Sequence, residues 1–134
     1  MKFIYFLLLP LLLTGCQFTN YKPADMYFYL DQNNNSYSIT PVEIKYNPIA
    51  AKNSSSGVYS GGKNATVTIT TEQFNSIAQL AEELLQNKEY HATKREMLTA
   101  VLSVELDSLV IKKILKKSKN RTEFETALQR ILNN

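Results

Sequence analysis

The sequence predicts an α+β fold, a small antiparallel sheet of about five strands with two helices packed on one of its faces. Three observations carry this reading. The first half of the chain holds short alternating or aromatic-rich segments punctuated by turn residues; residues 70–86 have helical periodicity behind a capping signal; and residues 97–117 alternate before a terminal amphipathic stretch.

Met26-Tyr27-Phe28-Tyr29-Leu30 is rich in strand-favouring aromatics, and Asp31-Gln32-Asn33-Asn34-Asn35 supplies a turn. Residues 36–46 then resume with Tyr37, Ile39, Val42, Ile44 and Tyr46, so a hairpin is expected. Pro41 cannot donate to a ladder and puts this second strand at an edge or a bulge. A third strand is expected over 65–70, where Thr alternates with Val67 and Ile69. The intervening stretch, 48–63, carries Gly57, Gly61, Gly62 and a serine cluster, and is longer than a packed connection needs.

Thr70 and Gln73 have the spacing of a capping box, and Glu72 suits the positive end of the helix dipole. Phe74, Ile77, Ala78, Ala81, Leu84 and Leu85 recur at three and four, which makes one apolar stripe. For 97–117, a helix would mix leucines with Glu105, Lys112, Lys113 and Lys116 on one face. A strand sets Leu98, Ala100, Leu102, Val104 and Leu106 on one side, and alternation fits better. Asp107-Ser108 becomes a tight turn into a strand over 109–116. Residues 121–132 close the chain as a helix with Phe124, Leu128, Ile131 and Leu132 inward.

The chain has 134 residues, 44% of them hydrophobic and 20% charged, with four Gly, four Pro and a single Cys. These values exclude collagen-like, disulfide-framework and charge-dominated disordered classes. Much of the apolar content is concentrated in the run from Phe3 to Leu13, preceded by Lys2 and followed by Thr14-Gly15. That is the layout of a secretory signal peptide. A membrane span needs about 20 apolar residues, and this run is far shorter and contains Pro10.

Leu13-Thr14-Gly15-Cys16 resembles the lipobox of bacterial lipoproteins. The resemblance implies that residues 1–15 are removed, that Cys16 receives a diacylglyceryl thioether, and that the membrane is contacted through acyl chains on this residue. Residues 16–25, polar and interrupted by Pro23, are expected to be a lipidated tether, and 26–134 a single domain. Two or three acyl chains hold a soluble domain on a leaflet, whereas one binds only marginally. Gln17 in place of Asp after the Cys implies, by the same resemblance, the periplasmic face of the outer membrane in preference to the inner membrane. As the only Cys, Cys16 leaves an exported domain with no internal disulfide.

No set of nucleophile, base and orienting group is evident, so the domain is expected to be a non-enzymatic binding or accessory module with an envelope protein as partner. The rival class is a small hydrolase using His91, the one histidine, as base. No metal or other cofactor is expected, since neither a thiol nor a carboxylate pair accompanies that histidine at ligand spacing. Gly62-Lys63-Asn64-Ala65 leads into a strand and is not a P-loop.

Partner binding is expected at Ser56, Val58, Tyr59 and Lys63, with the aromatic first hairpin alongside. Tyr21, Tyr27, Tyr29, Tyr37, Tyr46 and Tyr59 all precede residue 60, and Tyr buries much area for few frozen torsions. Ser56-Gly57-Val58-Tyr59, Gly62-Lys63 and Ala65 are similar to the loop that periplasmic lysozyme inhibitors insert into an enzyme cleft, without that family's aromatic pair and second-half Cys. The likeness implies an alternative, an inhibitor or immunity-type protein acting through 53–63. Lys112, Lys113, Lys116, Lys117, Lys119 and Arg121 form a basic run, and the first four are a candidate contact for anionic lipid or another polyanion. The bland alternative is an exposed strand protected from edge pairing by lysine. Nucleic acid is not expected as a partner in that compartment, and the net charge of +3 falls further when Lys2 leaves with the leader.

Overall fold

The structure is a computed structural model that describes residues 22–134; the expected leader, Cys16 and most of the expected tether lie outside the described residues. The fold is α+β. Its antiparallel sheet has seven strands, not about five: β1 (Met26–Leu30), β2 (Ser36–Ile39), β3 (Glu43–Asn47), β4 (Ala65–Thr68), β5 (His91–Ala92), β6 (Ala100–Leu106) and β7 (Leu109–Leu115), in the order β4-β3-β2-β1-β6-β7-β5. Helices α1 (Thr71–Gln86) and α2 (Lys119–Leu132) enclose a common core with one sheet face.

Two features account for the extra strands. The expected strand over 36–46 is two strands folded back on each other, with Ile39 opposite Ile44. Pro41 follows Thr40 at the second position of a four-residue turn, where its fixed φ is favourable, and Thr40 N–H donates to Glu43 O at 3.0 Å. Val42, expected to share a face with Ile44, is 64% exposed in that turn. The other addition, β5, is a two-residue pairing of His91 with Leu115 and Ala92 with Ile114, too short to leave a periodic signal.

The helices follow from the stripes. All six apolar α1 positions are buried, and both halves of the capping box form, with Gln73 N–H donating to Thr70 Oγ1 (3.1 Å) and Thr70 N–H to Gln73 Oε1 (2.9 Å). Helix α2 begins at Lys119 because Ser118 caps it, accepting from the Arg121 N–H at 3.1 Å. Each fully buried large apolar side chain contributes roughly 1.5–3 kcal/mol.

The tyrosines of the first strands complete this core and are not surface contacts. Tyr27, Tyr29 and Tyr37 are buried, and Tyr46 is half-buried against them. Alternation along β1 turns both of its tyrosines toward the helices, where Tyr27 donates to Glu82 Oε1 at 2.7 Å and Tyr29 donates to Glu125 Oε1. The Tyr29 ring meets Phe124 edge-on at 5.0 Å. Phe28 and Met26 fall on the opposite, helix-free face, partly exposed.

Candidate functional site

The strand register sets the two ends of the sheet apart. Met26 pairs with Glu105 at one end, next to the β6–β7 turn. At the other end Leu30 pairs with both Ser36 and Val101, and Ser36 pairs with Asn47. The 48–64 segment leaves β3 at this second end, so it lies away from the point where the chain enters the domain.

This long segment is tied at its base. The hub is Asn35, which sits in the β1–β2 turn yet is only 3% exposed. Its Oδ1 accepts from Ile49 N–H at 3.0 Å, and its Nδ2 donates to Asp31 Oδ2 (2.8 Å) and to Tyr59 Oη (3.0 Å). Gly61 N–H donates to Ile49 O at 3.2 Å, while Tyr46 Oη donates to Gly61 O at 2.7 Å. Above these ties Ser56 Oγ accepts from Tyr59 N–H at 3.2 Å, closing a tight turn through Gly57 at φ 71°.

Of the four residues expected to bind a partner, Ser56, Val58 and Lys63 are exposed, Val58 to 81%. Tyr59 is held by its hydroxyl while its ring stays outside the buried core cluster. The structure thus brings Ser56, Val58 and Tyr59 together on one turn, with Lys63 farther along the same segment.

The basic run is divided by strand alternation. Lys113 pairs with Leu102 on the helix side of the sheet, and Lys112 pairs with Ser103 on the open side. Lys116 reaches back to Glu89 O, and Lys117 borders a polar cleft. Arg121, from the same run, is buried outright.

That cleft, about 360 Å³, lies between the β1–β2 turn and α2 and is bordered by Asp31, Gln32, Tyr37, Lys117, Arg121, Glu125 and Gln129 among others. It shares Asp31 with the loop base. Burial, reinforced by the Glu125 charge and hydrogen bond, pushes the Tyr29 phenol far above its usual range, and burial with the Asp31 charge does the same to Tyr37. Both hydroxyls stay protonated at neutral pH, Tyr29 donating to Glu125 and Tyr37 accepting from Gln129 Nε2 at 2.9 Å. A shallower groove of about 580 Å³ runs along the outer side of the helices, bordered by Leu80, Thr126 and Arg130.

His91 Nε2 lies 2.8 Å from Leu84 O. A carbonyl only accepts, so this nitrogen carries the proton, and the ring fastens the end of α1 to β5. Among the described residues no three His, Cys, Asp or Glu side chains group closely enough to hold a metal ion. No protein-family model, curated protein or solved structure matches the chain.

Proposed function

We propose that the protein is a bacterial lipoprotein, acylated at Cys16 and held on the periplasmic face of the outer membrane, whose domain is a non-enzymatic module that binds an envelope protein through the 53–63 segment. The observation that carries the binding reading is the contrast within that segment. Its base is fixed by the buried Asn35 amide, and its crest presents Val58 at 81% exposure beside the half-exposed Tyr59 ring. A fixed base lowers the entropy lost on binding, and an exposed aromatic and aliphatic pair supplies contact area. The anchor reading rests on Leu13-Thr14-Gly15-Cys16 behind an apolar run too short to span a bilayer.

The second reading, an inhibitor or immunity-type protein that blocks an enzyme, uses the same crest and differs only in its partner. Hydrolysis is the third reading, and in it Nδ1 would be the base, since the Nε2–H of His91 is spent on the Leu84 carbonyl.

Metabolic labelling with a palmitate analogue tests the anchor: label is expected on the wild type and absent from Cys16→Ala, and equal labelling refutes it. Crosslinked complexes recovered from envelope extracts test the crest. Val58→Ser is expected to weaken the complex at an unchanged melting temperature, Tyr59→Phe tests the ring without its bond to Asn35, and an undiminished complex in Val58→Ser with Tyr59→Ala excludes this surface. A His91→Ala variant that keeps its fold yet loses all function would favour the enzyme.

A further inference from the structure

The β6–β7 hairpin ends in a tip that exposes apolar side chains on both faces. Leu106 and Leu109 are cross-strand partners on the helix side of the ribbon, 41% and 63% exposed, and Val110, 62% exposed, pairs with Glu105 on the open side. Met26, 36% exposed, sits beside Glu105 on its other flank. The turn is two residues, Asp107 and Ser108, with Asp107 at φ 52° as the primed hairpin turns require at their first central position. The polar groups of the tip are the Asp107 carboxylate and Ser108 hydroxyl at the turn and Glu105 on the open face.

The tip's position says what covers it. The chain enters the sheet at Met26, the strand residue beside that tip. Only the segment from Cys16 to Met26 separates the two, and a chain spans at most about 3.3–3.6 Å per residue. Acyl chains on Cys16 would therefore hold Met26 within about 35 Å of the leaflet, with the Tyr59 end one strand farther along the chain. Lys112 follows Val110 on the same open face, two residues or about 7 Å back from it, at a depth suited to lipid phosphates.

We infer that Leu106, Leu109 and Val110, with Met26, form a second membrane contact that rests the domain on the leaflet carrying its anchor and directs the 53–63 crest away from it; the inference rests on the Cys16 anchor reading. The Asp107 carboxylate keeps the turn at headgroup level, so the ribbon lies in the interface and does not cross it. The occupant is the lipid surface itself.

The chain contains no Trp, so a single introduced one reports its own surroundings. The full-length acylated protein carrying Leu109→Trp, Val110→Trp or Val58→Trp is reconstituted into vesicles of phosphatidylethanolamine and phosphatidylglycerol, with and without nitroxide-labelled lipid, and isolated by flotation. Expected is blue-shifted emission from the hairpin tryptophans and quenching severalfold stronger than that of Val58→Trp. Equal quenching at all three positions in floated protein overturns the membrane contact and leaves the anchor standing. Failure to float overturns both. Blue-shifted hairpin emission without nitroxide quenching means a protein surface, such as a second copy, covers the tip and likewise overturns the inference. Two hairpin positions keep the test decisive if one substitution perturbs the turn.

Discussion

Arg121 and Glu125 lie one turn apart on α2 with Nε 3.2 Å from Oε1, yet the arginine side chain is 2% exposed and the glutamate 32%. Nε is paired with Glu125 by charge alone, without a hydrogen bond, and the two terminal nitrogens of the guanidinium donate to Leu98 O (2.6 Å), Leu115 O (3.4 Å) and Gln32 Oε1 (3.2 Å). The Glu125 oxygen facing the arginine also accepts from Tyr29. One buried cation thus joins the turn before β6, the end of β7, the β1–β2 turn and α2. Arginine alone offers enough forked donors for this arrangement.

Arg121→Ala should therefore lower unfolding free energy by about 3–5 kcal/mol, the usual consequence of removing one partner of a buried pair. Arg121→Lys should not restore it, because a single ammonium cannot reach acceptors on three elements. Urea denaturation measures both. Lys119, whose pair with Glu123 is exposed, is the control, and Lys119→Ala should stay within about 0.5 kcal/mol. A loss below about 1 kcal/mol for Arg121→Ala would mean that the clamp is dispensable.

The tyrosines predict an alkaline limit. An unfolded phenol ionises near pH 10, while burial and neighbouring carboxylates hold Tyr29 and Tyr37 protonated well above that in the fold. Here the folded-state value is raised. The stabilisation is complete below about pH 10 and is lost progressively as pH rises beyond it, because only the unfolded chain releases these protons. Urea midpoints should stay level as pH approaches 10 and fall steeply above. Tyr29→Phe should cost about 1.5–3 kcal/mol at pH 7 through the lost bond to Glu125 and flatten the alkaline decline. An equally steep decline in that variant would assign the limit to other groups.

Much of this architecture was legible in the sequence because it is periodic. The α1 stripe, its capping box, and the alternation that separates β6 from a helix all reflect burial on one face. The misses have local causes. Pro41 reads as an edge or a bulge because the alternation resumes after it, but a prolyl turn leaves the same pattern over so few residues. Tyr27, Tyr29 and Tyr37 were assigned to a contact surface by residue type, whereas their alternation with Phe28 and Ser38 already placed them on one face. Arg121 was grouped with its basic neighbours, although positions 121, 124, 128 and 131 form one helical stripe whose other members are Phe, Leu and Ile. Asn35 left no signal, since its hub role depends on partners as far away as Tyr59.

Two glycines of the 48–63 segment should respond differently to substitution. A Cβ on Gly61 would collide with Asn35 Oδ1 and come within 2.7 Å of Pro48 Cβ, so Gly61→Ala must displace the amide that holds Ile49. About 1–3 kcal/mol should be lost, with faster hydrogen exchange at the Ile49 amide. Gly57 has open space around a Cβ and only its φ of 71° to strain, so Gly57→Ala should leave exchange at Ile49 unchanged. Faster exchange at Ile49 in both variants would show the base and crest to be a single flexible unit.

Leu98 offers a test in which ordinary packing logic gives the opposite sign. It was expected to begin the β6 alternation but sits outside the strand, in the turn formed by Glu96 through Thr99, with Thr99 N–H donating to Glu96 O at 3.2 Å and Thr99 Oγ1 to the same oxygen at 2.6 Å. Its φ is 67°, a left-handed conformation at the position where a type II turn favours Gly or Asn. For an L-residue with a bulky side chain this costs roughly 1–2 kcal/mol, and β-branching worsens it. The turn persists because the Leu98 carbonyl accepts from buried Arg121 and Thr99 is itself buried. The leucine side chain is 46% exposed, so little burial offsets the strain. Leu98→Asn should accordingly match or exceed the wild type in thermal stability, while the more hydrophobic Leu98→Val should fall below it. If side-chain packing governed this position, valine would be the better tolerated of the two, and that order of melting temperatures would refute the strain account.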